Sequence, residues 1–98
     1  MDSSKGRKPI ELSITKEYVW DLYLKQERKC KLSGVEIKFP TKHKDKSYTV
    51  SLDRIDSSKG YIEGNVQWVH KDINMMKRTY NNDYFIEMCR LISNNHLQ

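Results

Sequence analysis

Two cysteines in 98 residues are too few for a disulfide framework, and Cys30 and Cys89 stand far apart in the chain. Reduced thiols in an intracellular protein are the simpler reading. No apolar run approaches the roughly 18 residues of a membrane span, and the opening residues, with Lys5, Arg7 and Lys8, hold no apolar stretch of a secretory leader. A cytoplasmic, non-secreted protein is the expectation. No internal repeat is visible. What remains is length for one domain with a modest core, 37% hydrophobic and 32% charged.

The net charge of +5 is unevenly placed. Residues 1–49 hold 12 Lys/Arg against 7 Asp/Glu, whereas residues 50–98 hold 6 against 6. The excess gathers in the first eight residues and in Lys38 to Lys46, which includes Lys42 and Lys44. Such runs are either solvated surface or a phosphate-binding face.

The coarse order predicted is helix, strand, strand, strand, helix, helix: a small α+β chain. Residues 1–13 read as a flexible basic arm and 14–98 as one domain. Thr15 caps a first helix running to about Arg28, with Val19, Leu22 and Tyr23 on its apolar face. Val35, Ile37 and Phe39 alternate with Glu36 and Lys38, a half-buried strand pattern that Pro40 ends. After a basic loop over 41–47, Tyr48 to Leu52 resume that pattern. Near the end, Phe85, Met88, Cys89 and Ile92 fall at i, i+3, i+4 and i+7 on an amphipathic helix preceded by the cap-like Asn81-Asn82-Asp83.

The chain is organised around Ser51 to Lys77. A strand ends on Asp53-Arg54, and a polar loop with Gly60 and Gly64 closes on Asn65. The apolar Val66-Gln67-Trp68-Val69 leads into a helical pattern. There Ile73, Met76 and Tyr80 are the expected core face, while His70, Asn74, Lys77 and Arg78 share a polar face without any Glu. Asp53 is a turn-former or a ligand; with Asn74 it supplies hard oxygen donors suited to Mg²⁺ or Mn²⁺. Asn65 suits closure of the loop by its amide. Trp68 is expected in the core rather than as a stacking platform for bases.

Residues 51–77 resemble the phage-type HNH endonucleases. The resemblance is carried by Ser51-x-Asp53-Arg54-Ile55-Asp56, Gly60-Tyr61, Gly64-Asn65-Val66, Trp68-Val69 and Ile73-Asn74-x-Met76-Lys77. With the knuckle-like turn Cys30-Lys31-Leu32-Ser33-Gly34, it covers about residues 29–79. It implies a ββα-metal core over 48–79, flanked by an N-terminal and a C-terminal helix, and metal-dependent hydrolysis of DNA phosphodiesters. By it, Asp53 and Asn74 would hold one divalent cation and Asn65 would order the loop. Lys42, Lys44, Lys77 and Arg78 would meet the DNA backbone, which would associate the protein with the nucleoid.

Two departures matter. The family's histidine after the aspartate is here Arg54, which stays protonated and cannot act as base, but could clamp a phosphate. His70 is then the first choice for the base, with His43, Tyr61 or solvent hydroxide as alternatives. The positions of the paired Cys-x-x-Cys knuckles read Cys30-x-x-Ser33 and His70-x-x-Ile73, short of the four ligands of a structural zinc, so none is expected. Cutting both strands would take two sequential nicks or a homodimer. The alternative function is a catalytically degenerate DNA-binding module on the same fold.

Overall fold

The computed structural model describes residues 11–97. Five elements follow in order: α1 (Lys16–Lys25), β1 (Val50–Arg54), β2 (Val66–His70), α2 (Lys71–Lys77) and α3 (Asn82–His96). The architecture is α+β, three helices with one two-stranded antiparallel sheet.

Thr15 caps α1 as its sequence requires, its hydroxyl accepting the Tyr18 N–H at 3.0 Å. The helix stops at Lys25, shorter than predicted, because Glu27 and Arg28 turn into the left-handed region at φ 59° and 60°. From Arg28 to Thr49 the chain is held by one antiparallel bridge, Lys29 opposite Glu36, and by isolated hydrogen bonds rather than by a ladder. Ile37 N–H reaches Arg28 O, Cys30 N–H reaches Val35 O, and Thr49 N–H reaches Lys38 O. The strand predicted over Val35–Phe39 is therefore absent, although Ile37 is buried as its alternation implied. Residues 28–30 run antiparallel to it for a single bridge only, because the chain turns at both ends of that contact.

The hairpin fixes everything else. Its register sets Ser51 opposite Val69, Leu52 opposite Trp68 and Asp53 opposite Gln67. Since side chains alternate across a strand, Val50, Leu52, Val66 and Trp68 share one face, and Ser51, Asp53, Gln67 and Val69 the other. On the first face lies an aromatic cluster. Trp68 packs edge-on against Phe39 (5.0 Å between centroids) and Tyr23 (6.3 Å), and its indole N–H donates to Val19 O at 2.7 Å. Tyr23, at the centre, passes its hydroxyl to Ile37 O at 2.8 Å. Trp68 is thus core, as expected.

On the second face lies α2. Its inward residues are Ile73, Asn74 and Lys77, not Ile73, Met76 and Tyr80 as the periodicity suggested; Met76 is 63% and Tyr80 51% exposed. The helix ends at Lys77 because Arg78 takes φ 55°. Asn81 then caps α3, accepting the Tyr84 N–H. Against expectation, no residue of α3 is buried.

The predicted arm over 1–13 falls mostly outside the described residues. Its last three are tied down: Tyr61 N–H donates to Glu11 O at 2.7 Å and Ser13 N–H to Tyr61 O at 3.0 Å. That contact demands glycine at 60, where a Cβ would come within 2.5 Å of the Glu11 carbonyl oxygen. Among the described residues, no helix is long and apolar enough to cross a membrane.

Candidate functional site

The candidate site is the face of the hairpin that α2 covers. Ser51 and Asp53 project from β1 two residues apart, and α2 meets both one turn apart. Asn74 donates its amide N–H to the Ser51 hydroxyl, and Lys77 places Nζ 2.9 Å from Asp53 Oδ2. Asp53 and Asn74 therefore stand over the same face of β1, as the sequence required of a shared site.

Asp53 is buried, and its Oδ2 also accepts from Gln67 Nε2 at 2.8 Å. Gln67 and Asn82 exchange two amide hydrogen bonds, which extend the network to the first turn of α3. Lys77 has no exposed surface; its second partner is Arg54 O at 3.0 Å. The sequence reading of Lys77 as a contact to the DNA backbone is thus corrected. A buried carboxylate next to α2 calls for a compensating charge, and Lys77 supplies it.

Asn65 is buried at the end of the 55–65 loop and makes three hydrogen bonds within it. Its Oδ1 accepts the Asp56 N–H, and its Nδ2 donates to Asp56 O and Gly60 O. These bonds fix the loop beside the end of β1. Arg54 is committed to the same loop. One guanidinium nitrogen donates to Ser57 O and Lys59 O, at 3.0 and 3.1 Å, and the group lies 5.4 Å from the centre of the Tyr61 ring.

His70 is the last residue of β2 and the cap of α2, its Nδ1 accepting the Asp72 N–H at 3.1 Å. By strand alternation it lies on the Trp68 side, opposite Asp53. The sequence put it on the Asn74 face by counting it as helical; one residue of strand turns it away. His70 lines a hollow with Ser33, Glu36 and Ile73, next to the Cys30 turn. There burial pushes the Cys30 thiol up, but the polar groups of Ser33, His70 and Leu32 around the sulfur outweigh it and hold the thiol below its ordinary value, with the Ser33 N–H donating to Sγ at 3.3 Å. Cys30 is itself buried in the core with Val69 and Trp68.

Lys42, Lys44 and Arg78 are exposed. Thr49 and Tyr48 adjoin Lys71, so the 41–47 loop springs from the hairpin end where α2 begins, whereas Arg78 marks the end where α2 stops. Asp45 holds that loop. Its carboxylate accepts from Thr41 N–H and from the N–H and hydroxyl of Ser47, and the Ser47 hydroxyl above all keeps its pKa well below the usual carboxylate range.

The donor set suits a hard cation in kind. Asp53 Oδ1 has no partner among the described residues, and Asn74, donating through nitrogen, leaves its carbonyl oxygen as an acceptor. One carboxylate and one amide oxygen form a sparse set, of the kind Mg²⁺ completes with water and substrate phosphate. No cluster of three or more His, Cys, Asp or Glu occurs among the described residues. In comparisons with known proteins, no family model, curated protein or solved structure matches the chain.

Proposed function

We propose that the protein is a metal-dependent DNA endonuclease of the HNH type, nicking or cutting DNA through a single cation held by Asp53 and Asn74. What supports this is the juxtaposition on one hairpin face of the Asp53 carboxylate and the Asn74 amide, with Asn65 ordering the adjoining loop. Mg²⁺ or Mn²⁺ bound there would polarise the scissile phosphate and lower the pKa of a bound water. Lys77 orients Asp53 by engaging Oδ2, which leaves Oδ1 for the cation. Arg54 stiffens the loop that borders the site rather than reaching out to a phosphate. Lys42, Lys44 and Arg78 contribute backbone contacts without sequence information. His70, turned to the other face, could not act as base at that cation, which would leave the role to solvent or hydroxide.

A second reading, a DNA-binding module without chemistry, draws on one observation. The Lys77 ammonium already neutralises Asp53, which opposes a second cation at the same carboxylate. Plasmid nicking with purified protein in Mg²⁺, Mn²⁺ or EDTA separates the two. The nuclease reading expects open-circular product with metal only, lost in Asn74→Ala while gel-shift binding persists. Gel-shift binding with no product under either metal supports the binding module. Neither cleavage nor binding overturns both. Asp53→Ala alone is a poor probe, since it strands a buried ammonium and destabilises the fold as well as removing the ligand.

A further inference from the structure

We infer that the uncovered face of α3 is a self-association surface, on which two copies pack antiparallel about a two-fold axis near Met88 and Cys89. The 15-residue helix is about 22 Å long, and Tyr84, Phe85, Met88, Cys89 and Ile92 fall on one side of it, with Ile86 apart. Tyr84, Phe85, Met88, Cys89 and Ile92 line a shallow groove of about 370 Å³, continued by Tyr80, whose ring lies 4.9 Å from that of Tyr84. Yet none of α3 is buried: Tyr84 is 48%, Ile92 62% and Leu91 47% exposed. The sequence pattern is that of a packed helix. Among the described residues nothing covers it.

Charge selects the occupant. Each copy carries +5, so association between copies is opposed wherever Lys and Arg meet. The groove side of α3 has no charged residue. Asp83, Glu87 and Arg90 all lie on the opposite side, where Arg90 and Glu87 already satisfy one another at 2.6 Å. A nucleic acid finds no cation there, whereas a second copy meets an apolar face of its own kind. Antiparallel packing sets the aromatic end of one helix, Tyr80 to Phe85, against the aliphatic end of the other, Leu91 and Ile92. Half-exposed side chains of this size offer on the order of 100 Å² each, so six per copy, Phe85 contributing less, bury at most about 1,200 Å² in total, at the small end of specific interfaces. A weak, concentration-dependent dimer is the result. The inference does not depend on the nuclease reading.

Sedimentation velocity on the full chain, up to about 100 μM, tests it. The expected record is a monomer–dimer equilibrium, shifted at least tenfold toward monomer in Ile92→Asp, with the far-UV circular dichroism unchanged because that side chain is 62% exposed. A short bis-maleimide should link two copies through the exposed Cys89, with the link absent in Cys89→Ser, since the remaining thiol, Cys30, is buried. A monomer throughout the range overturns the inference. A dimer indifferent to Ile92→Asp, or a ladder of larger oligomers, overturns it too.

Discussion

The two faces of the hairpin are built on opposite principles. The face toward α1 joins Val50, Leu52 and Trp68 to Tyr23 and Phe39, and its polar atoms are confined to edges where they meet backbone carbonyls. The face toward α2 buries a carboxylate, an ammonium and the Gln67 amide within one hydrogen-bonded network that continues to the half-buried Asn82. Apolar burial gains free energy from every methylene removed from water, about 25 cal/mol per Å². A buried ion pair repays its desolvation only when all its partners are in place. The first face therefore accounts for stability, and the second holds a specific arrangement at a cost, as sites do.

That contrast can be broken at Trp68. Trp68→Ala removes the ring that Tyr23 and Phe39 pack against and should lower unfolding free energy by about 4 kcal/mol in urea titration. Lys77→Met should cost about 3 kcal/mol in the same assay, because Asp53 is then buried and unpaired. The contrast is sharpened by the double variant Asp53→Leu/Lys77→Met. It should recover most of that loss and be near wild type in stability, yet show no metal-dependent nicking. A double variant as unstable as Lys77→Met alone would mean that the network is structural glue rather than a tolerated expense. Asn65→Ala, with three loop bonds lost, should cost about 2 kcal/mol and raise amide exchange over 55–65.

The smallest effect belongs to the exposed loop. Asp45 is held below the usual carboxylate range, so its contribution is complete above the unfolded value of about 3.9 and is lost as pH falls through its lower folded value. An NMR pH titration should find Asp45 still ionised at pH 3, with the Thr41 and Ser47 amides shifting only below that. Titration near the ordinary value would remove the pinned loop.

Much of this was legible in the residues. Thr15 and Asn81 announce their helices because a cap is a local event, decided by a side-chain oxygen and an N–H three residues on. Asn65 announces its loop in the same way. Trp68 reads as core because the run around it is too apolar to face water on both sides. The alternation of Val35, Ile37 and Phe39 misled because a strand needs a partner, and pairing is not encoded within five residues. The periodicity of Ile73, Met76 and Tyr80 misled because it gives spacing and not direction. Which side of α2 turns inward was decided by Asp53 beneath it, which requires Lys77.

The sequence by itself determined the starts of α1 and α3 and the loop closed by Asn65. Each rests on short-range geometry and a few neighbouring hydrogen bonds. Only the tertiary structure decided that Lys77 is buried against Asp53, that His70 turns from the Asn74 face, and that α3 keeps its apolar side open. Those outcomes depend on strand register and on which segments lie across from one another. A one-residue difference in register reverses every side chain, and no local pattern records what stands opposite.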